Sequence, residues 1–202
     1  MILKTLLLAL SAVTLTALAG AADPPAAPPT AKPAATEEAA PVGPTTREKV
    51  EQAPDWVQAE VEAKPDAGAA QALGTVEPGA EVTVFLGTWC GDSRREVPRL
   101  WKAMDTGSGA VPFQVRYIAV DRAKKEPADL VKENGILYLP TLIVRRGGHE
   151  VGRIVETSPH GVEQDLLALL TGKATGVLTT RQDLAPAAAV LPQGRPQSRP
   201  RG

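Results

Sequence analysis

Val82-Thr-Val-Phe-Leu-Gly-Thr-Trp-Cys-Gly-Asp-Ser-Arg-Arg-Glu-Val-Pro98 is the stretch around which this chain is organised. Val82 to Leu86 is a run of β-branched, aliphatic and aromatic residues, long enough for a strand and too short for most helices. Gly87 and Thr88 break the run. Beyond them Val97, Leu100, Trp101 and Met104 recur at the spacing of one helical face. The only cysteine, Cys90, therefore stands where a buried strand hands over to a helix. Peptide N–H groups at a helix start lack intrahelical partners and carry partial positive charge, which favours a thiolate and makes the sulfur a nucleophile. A buried, inert structural cysteine is the competing reading. The Gly-Thr-Trp-Cys turn argues against it, because it brings the sulfur to the surface end of the strand.

These residues resemble the thioredoxin superfamily. Its motif is Trp-Cys-x-x-Cys at a strand-to-helix turn, with a proline eight residues after the first cysteine. Trp89, Cys90, Gly91, Asp92, Ser93 and Pro98 occupy those places. The second landmark is a cis-proline before a β-hairpin, and Gly135-Ile-Leu-Tyr-Leu-Pro-Thr-Leu-Ile-Val-Arg-Arg-Gly-Gly-His-Glu-Val151 is similar to it, with Pro140 as the proline. The resemblance spans roughly residues 80–170 and implies an α/β, thioredoxin-like three-layer sandwich with a mixed central sheet and helices on both faces. The chain departs from the pattern at three places. Ser93 replaces the second cysteine, Val84 stands where the family often has a buried acid, and Glu156 stands where it usually has a glycine.

The resemblance implies thiol–disulfide exchange through Cys90, and Ser93 limits it. A Cys90 thiolate can attack a substrate disulfide and form a mixed disulfide. Ser93 cannot resolve that adduct, although its hydroxyl can donate to the sulfur. The resolving thiol must come from the substrate, as in an isomerase, or from a small thiol, as in a monothiol exchanger. With no such thiol the protein would be a trap or a tether. If Pro140 is cis, it exposes backbone on which an extended peptide can pair, with Trp89, Tyr138 and Leu139 lining an apolar surface and Gly91 beside it. Each of these can equally be core. Asp92 beside the sulfur opposes ionisation of the thiol, while Arg94 and Arg95 stand close enough to offset it. Glu156 is a candidate acid/base partner. The alternative reading is a non-catalytic module whose Pro140 groove holds a peptide or protein while Cys90 is incidental.

The remaining composition bounds these readings. The chain has 202 residues and a formal net charge of −1, which points to neither nucleic acid nor an anionic membrane as the main partner. His149 and His160 are not at metal-ligand spacing with Cys90, and no metal or cofactor is expected. All seven aromatic residues lie between Trp56 and Tyr138, so the folded part is placed at 45–183. Residues 1–22 read as a signal peptide, with an apolar run from Thr5 to Leu18 and small-residue cleavage sites after it. Asp23 to Pro44 holds seven prolines and seven alanines in 22 residues and reads as a spacer. Residues 184–202 read as a disordered tail rich in proline and arginine. The expectation is an exported protein of the periplasm or cell envelope, or a secreted one, meeting a membrane only through an uncleaved signal segment. Its partners would be protein or peptide thiols and disulfides.

Within the folded part, a helix from Thr45 or Thr46 to about Ala53 and another over Asp55–Ala63 are expected to share one apolar face of Val50, Ala53, Trp56, Val57 and Val61. A short helix over Asp66–Leu73 follows. Next come strands at Val82–Leu86 and Phe113–Val120, a short helix opened by Pro127, and a hairpin through Gly147-Gly148. A last helix is expected to start at Ser158-Pro159 and end at Gly172.

Overall fold

A computed structural model describes residues 41–107 and 110–184. The signal segment, most of the spacer and all but the first residue of the tail lie outside the described residues. Among these no helix is long and apolar enough to cross a membrane.

Six strands make one mixed sheet: β1 (Gly43–Thr45), β2 (Ala80–Leu86), β3 (Gln114–Ala119), β4 (Thr141–Arg146), β5 (His149–Val155) and β6 (Gly176–Leu178), in the order β1-β3-β2-β4-β5-β6. β2 and β3 run parallel, from Glu81 opposite Gln114 to Leu86 opposite Ala119. β4 pairs antiparallel with β2 and with β5, so the hairpin through Gly147-Gly148 forms where the glycines put it. The helices are α1 (Arg47–Val50), α2 (Pro54–Glu62), α3 (Ala67–Leu73), α4 (Gly91–Thr106), α5 (Ala128–Glu133) and α6 (Val162–Leu170).

Alternation along β2 divides the interior into two layers. Val82, Val84 and Leu86 face a large core that includes Trp56 from α2, Leu73 from α3, Leu100 and Trp101 from α4, and Leu166 and Leu169 from α6. Phe85 faces a smaller one with Ile118, Val131, Ile136, Leu139 and Ile143, covered by α5. Helices thus lie on both faces of a mixed sheet. Val84 is fully buried within the larger core, so the place of the family's acid is purely apolar here.

The expected face shared by the first two helices does not form. Pro54 opens α2 as its first residue, since it has no N–H to give to a preceding turn, and this separates α2 from the single turn of α1. Val50 and Trp56 are buried, but Val57 and Val61 turn to solvent. Gly43 and Pro44, expected within the spacer, join Thr45, expected at the start of a helix, in a strand that pairs antiparallel with Ala119–Tyr117 of β3. The last helix also starts later than expected. Gly161, at φ 112, is its cap residue, and the Ser158 hydroxyl instead bonds the Asp165 carboxylate. α4 runs on through Asp105 to Thr106. Pro127 precedes α5 as its cap residue rather than opening its first turn. β6, absent from the sequence reading, lies parallel to β5 and extends the sheet.

Glu163 joins the helices of the larger layer. It is fully buried, takes two hydrogen bonds from Arg99 at 2.6 and 2.8 Å, and accepts from the Asp66 N–H at 2.8 Å. Burial works to raise its carboxyl, but these hydrogen bonds outweigh burial and hold it below the usual carboxylate range. Because the folded value lies below the unfolded value of about 4.3, the pair adds stability above that pH and loses it as the pH falls through the folded value. Glu163→Gln is expected to lower stability near neutral pH by about 2 kcal/mol. This is less than the roughly 3–5 kcal/mol for a fully buried pair, because Arg99 stays partly solvated. Urea midpoints measured from pH 7 downward should show the gap to wild type closing below about pH 4. Gly152 generates a second prediction. A Cβ there would stand 2.5 Å from the Gly176 carbonyl oxygen and 2.6 Å from Leu169 Cδ2. Gly152→Ala should therefore destabilise the chain by about 1–3 kcal/mol and speed limited proteolysis near β6.

Candidate functional site

The turn before Cys90 is held from three directions. The Trp56 indole donates to the Thr88 carbonyl at 3.2 Å, the Trp89 indole donates to the Val120 carbonyl at 3.0 Å, and the Gly87 N–H donates to the Ser93 hydroxyl at 3.1 Å. Gly87 permits this packing, because a Cβ there would meet the Trp89 ring at 2.8 Å. The Cys90 N–H closes the turn onto the Gly87 carbonyl at 2.9 Å, and its own carbonyl accepts the first helical bond from Arg94 at 3.0 Å. Cys90 is the cap residue of α4, and its side chain makes no hydrogen bond to the first helical turn. Pro98 lies inside α4, which continues through it to Thr106.

The sulfur is half-buried and packs beside the smaller core with Trp89. It donates to the Leu139 carbonyl at 3.5 Å. The Leu139–Pro140 peptide is cis. The structure thus brings together Trp89, Cys90, Leu139 and Pro140, residues far apart in the chain. Leu139 is a core residue, and its carbonyl is the acceptor for the sulfur.

Three candidate side chains have partners other than the sulfur. Ser93 is fully buried, and its hydroxyl accepts from Gly87. Among the described residues no hydrogen bond joins it to Cys90, so its place is that of a brace for the turn. Asp92 is paired with Arg95 at 2.8 Å, while Arg94 reaches back to Asp55 at 3.1 Å. Glu156 gives its carboxylate to Arg181 at 2.9 Å and has no hydrogen bond to Cys90 among the described residues. Its backbone is left-handed, at φ 58, and its N–H donates to the Pro140 carbonyl at 2.8 Å. That conformation is the physical reason glycine suits the position.

Arg181 escaped the sequence reading. Its guanidinium stacks on the Tyr138 ring at 3.8 Å, donates to the Tyr138 hydroxyl at 3.2 Å and pairs with Asp183 at 3.0 Å. Asp183 and Glu156 raise its already high pKa further. Tyr138 is therefore held by the segment after α6. Only the position of Arg181, just beyond a helix-ending glycine and a short apolar run, could have hinted at this. Glu96 is a buried acid of α4, its carboxyl raised by burial and pulled the other way by Arg95 and Arg99. Among the described residues no group of His, Cys, Asp and Glu is arranged to hold a metal ion.

This arrangement presents a lone, half-buried thiol against the Leu139 carbonyl at the cis Leu139–Pro140 peptide. It has no second sulfur with which to close a disulfide within the chain.

No protein-family model matches the chain. Thioredoxin-2 of Saccharomyces cerevisiae is 31% identical over 83 residues, covering 41% of this chain and 73% of that protein. Thioredoxin-1 of the same yeast is 28% identical over 90 residues, covering 43% of this chain and 78% of its own length. Among solved structures, an HIV epitope scaffold matches with a TM-score of 0.51 at 15% identity, over 66% of this chain and 95% of the scaffold, a likeness of fold alone. With almost three quarters of a yeast thioredoxin matched at this identity, and a mixed sheet with helices on both faces to accommodate it, the chain belongs to the thioredoxin superfamily.

Proposed function

We propose that this protein is an exported thiol–disulfide exchanger that works through Cys90 alone. The observation that carries the reading is the half-buried Cys90 sulfur at a rigid strand-to-helix turn, 3.5 Å from the Leu139 carbonyl. A substrate disulfide docks against the backbone at Leu139–Pro140. The Cys90 thiolate attacks one sulfur, a new disulfide forms between Cys90 and substrate, and the other substrate sulfur leaves as a thiolate. Release needs a thiol from outside the chain. When the substrate's own second thiol attacks, the outcome is isomerisation. When a small thiol attacks, the outcome is monothiol exchange. Pro140 and Trp89 form the docking surface, with Tyr138 at its margin under Arg181. The signal-peptide reading of residues 1–22 is what supports export, to a periplasm, a cell envelope or the outside of the cell.

A second reading has its own observation. The Ser93 hydroxyl is occupied by Gly87 and Val84 is apolar, so neither of the places that usually serve a resolving thiol is equipped for it. On that reading the chain is a binding module for peptides or proteins, and Cys90 is a bystander.

Capture separates the two. Wild-type protein incubated with oxidised protein substrates should yield adducts that dithiothreitol releases, and Cys90→Ser should yield none. Equal capture by both forms would establish the binding module instead. Ser93→Cys offers a sharper test. Positions three apart on a helix lie on one face, so the new thiol should resolve the Cys90 adduct. Long-lived mixed disulfides should fall by at least about tenfold and multiple turnover should appear in a disulfide-reduction assay. The loss of the hydroxyl acceptor for Gly87 should lower stability by about 1 kcal/mol, read by thermal denaturation.

A further inference from the structure

A groove of about 540 Å³ runs between α2 and the first turns of α4, and it begins at Gly91, the residue after Cys90. One wall carries Glu62 and Lys64, and the other carries Arg94, Arg95 and Arg99. Four cationic side chains thus face one carboxylate, in a chain whose net charge is −1. Gly91 leaves the end beside the thiol open, because a Cβ there would meet nothing within 4 Å.

The four cations differ in how far they are committed. Arg99 is bound through two nitrogens to buried Glu163. Arg95 is shared by Asp92, Glu96 and Thr157. Arg94 has an ion pair with Asp55 alone, and both are solvent-exposed, 41% and 75% respectively. Such a pair contributes little, so Arg94 can exchange Asp55 for another carboxylate at small cost. Lys64 is exposed and has no ion pair among the described residues. Arginine binds a carboxylate through two parallel hydrogen bonds, and lysine adds a point charge.

We propose that this groove receives the carboxylate-bearing flank of the molecule that exchanges with Cys90, with Arg94 and Lys64 as the binding groups, since Arg95 and Arg99 are held by carboxylates of their own. The shared chemistry is a negative charge next to a disulfide sulfur, on an acidic peptide or on a small anionic disulfide. The inference deepens the exchange reading and rests on it for the covalent step. In that step the S–S bond of the bound molecule breaks, one of its sulfurs bonds to Cys90, which is oxidised from thiolate to disulfide, and the other departs reduced, as a thiolate.

Two arms test it on the full chain. In the first, Cys90→Ser protein is titrated with labelled Glu-Asp-Ser-Asp-Glu or Lys-Arg-Ser-Arg-Lys peptide and followed by fluorescence anisotropy. The acidic peptide should bind more tightly, and Arg94→Glu and Lys64→Glu should each weaken it by roughly three- to tenfold with unchanged thermal unfolding. In the second, wild type and the Lys64→Glu/Arg94→Glu variant react with dithiobis-nitrobenzoate, a dianionic disulfide, and with cystamine, a dicationic one. The variant should react more slowly with the first and faster with the second. A response in the peptide arm identifies an acidic peptide, and a response confined to the second arm identifies a small anionic disulfide. Charge-blind results in both arms overturn the groove assignment while leaving exchange intact. A Cys90 inert to both disulfides overturns exchange, and the peptide arm then decides the groove by itself.

Discussion

The site depends on a turn of four residues, Gly87 to Cys90, that is tied down by side chains from three different places. Trp56 comes from the helices before the sheet, Trp89 from the turn itself, and Ser93 from the helix that follows. Each bond satisfies a backbone group that would otherwise be stranded between strand and helix, where the regular ladders of both elements have run out. Rigidity at the sulfur is therefore inherited from the core. Trp56 and Trp101 lie 5.7 Å apart, and Trp101 meets Tyr117 edge-on at 6.0 Å, so the layer under α4 is anchored by large rings. The Trp101 indole donates to the Tyr117 hydroxyl, whose own pKa burial pushes up to about 12.

Serine in place of the second cysteine changes meaning once this turn is seen. In sequence terms it is a lost sulfur. In the fold its hydroxyl is a buried acceptor for the Gly87 N–H, so the position serves the shape of the turn as well as its chemistry. A polar side chain with no exposure must be satisfied, and Gly87 satisfies it. The sulfur's own hydrogen bond goes elsewhere, to Leu139, whose backbone faces the site while its side chain belongs to the core.

The sequence was most readable where one period governed a long run. β2, α4 and the β4–β5 hairpin carried clear spacing or glycine signals, and with them came the placement of Cys90, whereas its partnership with the Pro140 segment was legible only through the resemblance to the thioredoxin superfamily. Less was readable where packing overrode local pattern. Val57 and Val61 continue the helical spacing of Val50, yet after the break at Pro54 it is Trp56 that α2 turns inward, and the two valines are left in water. Gly43–Thr45 and Gly176–Leu178 are too short to show alternation, and each becomes a strand only because a neighbouring strand offers free hydrogen-bonding groups. Arg181 illustrates the same limit at the site. Its role is defined by Tyr138 and Glu156, which lie 43 and 25 positions away in the chain, and no local pattern encodes such contacts.

The two outermost strands are only three residues long, and one of them contains a proline. A sheet margin is normally a template on which a foreign strand can add, and short or proline-bearing borders deny it that register. A partner polypeptide therefore finds little purchase along the flanks of this molecule. The end of the sheet left open is the one that carries the half-buried Cys90 sulfur, and the same short borders work against self-association of the folded chain into extended stacks.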